Sequence, residues 1–150
     1  MSNINLLETA MLKEVAAADF YRQIAERIPN ASGKGKFMEL SREEEAHLEV
    51  LKRWYAKETG GKKFDQKTAC CRLDYSFPQQ AVFDGASALE AISVGISAEK
   101  ESIDLYTSFR EEVADDEARK MLERLIEFEK GHVRRLQQEY DAVLHHFYWV

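Results

Sequence analysis

Four glutamates, two histidines and two tyrosines are spaced along this chain in a way that packing alone does not explain. In "EEEAHLEVL", residues 43–51, Glu44 and His47 fall on the apolar stripe of an amphipathic helical segment, where a core position asks for leucine. The same departure recurs in "EFEKGHVRRL", residues 127–136, with Glu129 and His132. Each pair follows a stripe glutamate and tyrosine seven residues apart, Glu14 with Tyr21 and Glu99 with Tyr106. One offset relates the halves: Glu14 and Glu99, Tyr21 and Tyr106, Glu44 and Glu129, and His47 and His132 all lie 85 positions apart. Asp19 and Asp104 keep that offset, as do the stripe positions Leu7 and Ile92, Ile28 and Val113, Leu40 and Leu125, and Leu51 and Leu136. An internally repeated helical hairpin is the simplest account.

Four carboxylates at core positions of one bundle repel one another and lose their hydration, at a cost of roughly several kcal/mol each. A bound pair of cations reverses the sign of that cost. Glu and His three apart on a helix face the same way, so one metal can be reached by both. One Glu from each of two helices plus Glu-x-x-His from each of the other two is the ligand set of di-iron or di-manganese carboxylate bundles. Oxygen ligands with two imidazoles and no thiolate favour Fe or Mn over structural Zn. The candidate metal ligands are therefore Glu14, Glu44, His47, Glu99, Glu129 and His132.

The competing reading is a solvated acidic face, or core histidines satisfied by nearby carboxylates. The repeat weighs against it, because one offset preserves every odd polar position. Glu43 and Glu45 read as surface acids, and Asp19 and Asp104, off the stripe, equally as surface or neighbouring contacts. Cys70 and Cys71 read as loop residues, with a thiol redox role as the alternative. His145 and His146 read as exposed tail residues.

The elements that must position the ligands are four helices. The first, about 3–28, carries Leu7, Ala10, Met11, Glu14, Ala17, Ala18, Tyr21, Ile24, Ala25 and Ile28 on its stripe. Pro29 and Asn30 end it, and Asn30 or Ser32 can cap the second helix, about 32–59, which "TGG" stops. The stripe of that second helix is Phe37, Leu40, Glu44, His47, Leu51 and Trp54. Residues 60–85 show no sustained period and read as a crossover, with room for a short helix near Gln79–Phe83. Ser87-Ala-Leu-Glu90 is a capping box opening the third helix, about 86–113, with stripe Ile92, Glu99, Tyr106 and Val113. Asp115 or Asp116 caps the fourth, about 116–146, with stripe Leu122, Leu125, Glu129, His132, Leu136 and Val143. Short turns make two antiparallel hairpins, and a crossover of this length can carry the chain along a whole bundle.

The 150 residues suit one domain with a full-sized core. A net charge of −6 argues against nucleic acid as a partner. No apolar run approaches the length of a membrane span, and "MSNINLLETAML" lacks the pattern of a secretory signal. The two cysteines are adjacent and no CxxC pair occurs, which excludes a disulfide scaffold or a thiolate metal site and fits a reduced, cytoplasmic setting.

The paired "E-x6-Y" and "E-x-x-H" motifs resemble the ferritin-like superfamily, and within it the rubrerythrin-like di-iron carboxylate proteins, over all four helices. The resemblance implies an all-α, ferritin-like four-helix bundle spanning residues 1–150 as one domain. It implies that Glu14 and Glu99 are terminal ligands, that Glu44 and Glu129 bridge, and that His47 and His132 complete each metal. Tyr21 and Tyr106 would lie beside the site and hydrogen-bond carboxylates. Two departures qualify it. Rubrerythrins proper carry a four-cysteine iron domain that this sequence lacks, so an electron donor such as a rubredoxin would act in trans. They also add a glutamate one turn after the third-helix ligand, where this chain has Ser102 and Ile103. The symmetric six-ligand set looks more like a bacterioferritin ferroxidase centre.

The expectation is a non-haem oxidoreductase with two Fe ions, or Mn or mixed Fe/Mn, and no haem. It would reduce hydrogen peroxide or O2 and protect the cell against peroxide. A ferroxidase or iron-storage protein is the second expectation, and a non-enzymatic metal-stapled bundle the third; oxygenases use the same scaffold. A homodimer is expected, since a long crossover permits segment exchange.

Overall fold

The computed structural model describes residues 2–28, 30–73 and 88–145. Its elements are α1 (Asn3–Arg27), α2 (Ala31–Thr59), α3 (Gln66–Leu73), α4 (Ala88–Glu112) and α5 (Asp116–Leu144). The chain forms the all-α, ferritin-like bundle: α1 packs along α2, α4 along α5, and the two hairpins meet chiefly through α1 and α4.

The helix ends follow from local chemistry. Ser2 Oγ accepts from Asn5 N at 3.2 Å and opens α1. Ile28 turns to extended backbone ahead of the proline that follows it in sequence. Asn30 Oδ1 accepts from Gly33 N at 3.1 Å and opens α2. Gly60 and Gly61, at φ 70° and 100°, end α2 in left-handed backbone that a side chain would strain. Asp115 caps α5, accepting from Ala118 N at 3.0 Å. The expected capping box at Ser87 and the short helix near Gln79–Phe83 lie outside the described residues, as do Pro29, Pro78 and His146.

The crossover contains an element that the sequence does not announce. The eight-residue α3 starts at Asp65, whose carboxylate accepts from Thr68 N at 3.1 Å and from Thr68 Oγ1 at 2.8 Å. Arg72 pins it to α1, with Nη1 2.7 Å from Asn5 Oδ1 and Nη2 2.7 Å from the buried Glu8 Oε2. Cys70 and Cys71 sit on this helix rather than in a loop, half-buried and exposed respectively, and neither forms a disulfide.

Two apolar clusters fill the bundle. One gathers Leu7, Met11, Leu51, Trp54, Phe109, Leu122 and Leu125, with Trp54 and Phe109 stacked at 4.9 Å. The other gathers Ile24, Ile28, Phe37, Leu40, Ile92 and Leu136. On each long helix the odd polar residues lie between these clusters: 14 on α1, 44 and 47 on α2, 99 on α4, 129 and 132 on α5. Antiparallel packing therefore collects them into one polar layer, closed above and below by hydrocarbon. Each fully buried Leu, Ile or Phe contributes roughly 1.5–3 kcal/mol, and this surplus keeps the polar layer in place. Gly95 sits where α4 comes close to α1: an added Cβ would meet Tyr21 Cε1 at 3.3 Å. The repeat-equivalent position is Ala10.

Candidate metal centre

All six candidate ligands are buried and lie together in the polar layer. They form two overlapping groups whose ligand atoms lie within 4.8 Å of one another: Glu14, Glu44, His47 and Glu129, and then Glu44, Glu99, Glu129 and His132. Glu44 and Glu129 belong to both groups, as bridging residues would. Glu14 and His47 belong to one alone, Glu99 and His132 to the other. His47 turns Nδ1 towards the carboxylates, 3.2 Å from Glu129, 3.7 Å from Glu14 and 3.8 Å from Glu44. His132 does the same, with Nδ1 2.5 Å from Glu44, 3.0 Å from Glu129 and 3.5 Å from Glu99. The imidazoles lie nearly parallel, 5.6 Å apart.

The donor set fits a pair of divalent cations. Glu14 Oε2, Glu44 Oε1, Glu129 Oε2 and His132 Nδ1 are buried and crowded together without a well-aligned hydrogen bond among them. Native interiors rarely leave polar atoms so. Here they face one another across distances that suit a shared ion. Oxygen-rich ligation with one imidazole for each position is the chemistry of Fe or Mn rather than of structural Zn.

Without a cation the carboxylates must share protons. Burial, and then the charges of Glu14 and Glu99, push Glu44 well above the usual carboxylate range. Glu129 is pushed up in the same way by burial and the neighbouring glutamates. Burial also acts to raise Glu14, but contacts with Glu44, His47 and Glu129 outweigh it and hold that carboxyl down to about 2. The metal-free layer thus keeps protons on the two shared glutamates, which a bound metal would displace.

Each tyrosine reaches across the bundle. Tyr21 on α1 donates to Glu99 Oε1 on α4 at 2.5 Å, and Tyr106 on α4 donates to Glu14 Oε1 on α1 at 2.5 Å. Burial, then the nearest carboxylate (Glu99 for Tyr21, Glu14 for Tyr106), raises both phenols, so they stay protonated and remain donors at neutral pH. Changing Tyr21 to Phe should leave a buried carboxylate oxygen undonated and cost about 1–3 kcal/mol in thermal denaturation of the metal-free protein. Through Glu99 it should also weaken one metal position roughly tenfold in a metal titration; Tyr106→Phe should weaken the other. A Tyr21→Phe protein matching wild type in both would remove the tyrosines from the site.

The structure revises Glu43. Its sequence reading is a surface acid, but it is half-buried, with Oε2 2.5 Å from Arg135 Nη1 and 3.7 Å from His132 Nε2. Glu45 is exposed, as read, and 3.7 Å from Arg22. Asp19 is half-buried and paired with Arg22 and Gln23 on its own helix, away from the layer. His145 is exposed. Two buried acids escaped the sequence reading: Glu8, paired with Arg72, and Glu139, 2.9 Å from Lys36. Their only sequence signal is an acid on a buried face, and their partners lie on other elements.

The Rubrerythrin family profile matches residues 5–140 of the chain. No protein of curated function matches it significantly. Among solved structures, it is similar to a hypothetical protein from Pyrococcus furiosus, at 25% identity over 97% of this chain and 92% of that one, with a TM-score of 0.82. A Thermotoga maritima protein, provisionally assigned as ferritin-like diiron-carboxylate, aligns at 24% identity over 95% and 97%, with a TM-score of 0.78. Bacterioferritin of Rhodobacter capsulatus, solved with a metal-free dinuclear site and a haem iron, aligns at 23% identity over 93% and 83%, with a TM-score of 0.74. No described helix is long and apolar enough to cross a membrane.

Proposed function

Because the chain belongs to the rubrerythrin family, we propose that it is a non-haem di-iron oxidoreductase that reduces hydrogen peroxide, or O2, with electrons from a separate protein donor. The observation that carries this reading is the pair of four-ligand groups sharing Glu44 and Glu129 in a layer sealed by apolar clusters. Two bound iron ions would supply two electrons to an O–O bond. Reduction of one peroxide takes those two electrons and two protons and yields two waters. A one-electron carrier such as a rubredoxin would return the electrons one at a time.

The protein's own part is geometric and protonic. Glu14, Glu44, His47, Glu99, Glu129 and His132 would hold the two ions. Tyr21 and Tyr106 fix Glu99 and Glu14 by donating to one oxygen of each, leaving the other free for the ion. With every ligand 6% exposed or less, the oxidant must be small. The resulting protection of the cell against peroxide would be the physiological role, in the cytoplasm and as a homodimer.

One observation favours a second reading, ferroxidase activity. Ser102, buried one turn beyond Glu99, stands where typical rubrerythrins add a glutamate, so the ligand set stays symmetric as in bacterioferritin. Stopped-flow mixing of the reduced, iron-loaded protein separates the two. The peroxidase reading expects oxidation by equimolar hydrogen peroxide at least tenfold faster than by O2. Faster oxidation by O2, followed by uptake of further Fe(II), would replace it with the ferroxidase reading. A loaded protein inert to both oxidants would leave the metal as a structural staple.

A further inference from the structure

The repeat makes the two halves of the centre equivalent at every ligand but not around the histidines. Glu43 and Phe128 are 85 positions apart, each one residue before a shared glutamate. The bundle accordingly sets each of them over the histidine of the other hairpin. Glu43 lies against His132, Oε2 to Nε2 3.7 Å. Phe128 lies against His47, with ring centroids 5.2 Å apart. The next shell differs the same way. Arg135, 2.5 Å from Glu43, has the apolar Val50 as its repeat equivalent. One histidine thus faces a carboxylate held by a guanidinium, and the other faces an aromatic ring.

The consequences for a bound ion are opposite. His132 Nε2 is buried and lacks a hydrogen-bond partner, and the nearby carboxylate of half-buried Glu43 can accept a hydrogen bond from its N–H with a shift below one ångström. An imidazole that gives its outer N–H to a carboxylate is a more basic ligand, oriented in one tautomer. His47 ion-pairs, among the described residues, only with the centre's own Glu14, Glu44 and Glu129. Phe128, 52% exposed, lies against its ring instead. Phe128 belongs to neither apolar cluster, so its ring can move without disturbing the core.

We infer that the two metal positions are unequal: the Glu99–His132 position, backed by Glu43, holds its ion tightly, and the Glu14–His47 position, flanked by Phe128, is the exchangeable one through which metal enters and leaves. Glu43 is a positioning residue here, acting through His132. The inference rests on the two-metal reading of the centre.

Titration of the metal-free protein with Co(II), followed by its visible absorption, tests it. Wild type should bind in two steps. Glu43→Gln should weaken the tighter step roughly 10- to 100-fold and leave the weaker one unmoved. His132→Ala should remove the tighter step and His47→Ala the weaker. Phe128→Glu, at an exposed position, should tighten the weaker step roughly tenfold. Two steps of equal affinity in wild type, or a Glu43→Gln protein in which both steps shift alike, would overturn the inequality while leaving a two-metal centre standing. No Co(II) bound by folded wild type would overturn the centre itself, and the inequality with it.

Discussion

Replacing Glu44 and Glu129 together by alanine should take the protein from two bound metal ions per chain to none. Both residues belong to each ligand group, so their loss leaves each position one carboxylate and one imidazole. Two ligands on separate helices do not hold a divalent ion against water and buffer. The stability readout should be as large as the metal readout. An ion present at a thousandfold excess over its Kd stabilises the fold by about 4 kcal/mol, and at this chain length that raises Tm by about 10 °C. Wild type should show that rise on adding metal, and the double variant should show none. The variant should still fold, because the apolar clusters above and below the layer are untouched. A folded double variant that retains two ions by elemental analysis would sink the ligand assignment.

The second large effect is on pH. Metal-free protein should become more stable as pH falls from about 8 towards about 5, whereas the metal-loaded protein should become less stable. Glu44 and Glu129 have folded-state pKa values well above the ordinary 4.5, so between 4.5 and those raised values the folded bundle holds protons that the unfolded chain has released. Their contribution is fully present below about 4.5 and is lost as pH rises through the raised values, with a slope of about 1.4 kcal/mol per pH unit for each proton held. Glu14 works the other way: held down to about 2, its contribution is present above 4.5 and lost as pH falls towards 2. Metal-free stability should therefore peak near pH 5. Metal binding needs the same carboxylates ionised, so acid competes with the ion and releases it. Urea midpoints at several pH values, with and without chelator, check this. The Glu44→Gln, Glu129→Gln double variant isolates the layer from the surface acids, and its metal-free curve should lose the gain towards acid. If wild type and that variant run parallel, the shared glutamates hold no extra protons.

Much of this was legible in the sequence because the repeat is exact at the residues that matter. The offset of 85 ties Glu14 to Glu99 and Glu44-x-x-His47 to Glu129-x-x-His132, and helical periodicity then places all six on buried stripes. The stripe residues Leu7, Ile24, Phe37, Leu51, Ile92, Leu122 and Leu136 are buried for the same reason. Periodicity fixes which face of a helix a residue occupies, but not what lies opposite. That is why the crossed pairing escaped: Tyr21 bonds Glu99, and Tyr106 bonds Glu14, each in the other half. It is also why Glu43, beside two other acids in "REEEAHLE", read as surface. Its partner Arg135 is far off in sequence, and only packing of α2 against α5 brings the two together. The α3 helix escaped because eight residues are barely two turns, too few for a period to emerge; Asp65 and Thr68 supply its start, and Arg72 its docking. Gly95 carried no signal either, since a close approach to Tyr21 is a property of two packed helices.

Elemental analysis of the protein purified from iron-supplemented cells decides whether the layer binds a metal pair. A buried layer of four carboxylates and two imidazoles, with unpartnered atoms turned inward, suits two cations, and the expected result is two iron ions per chain, both removed by a strong chelator. A folded, pure protein with no metal, or with one ion in a chain whose other position cannot be loaded by added Fe(II), Mn(II) or Co(II), would contradict it.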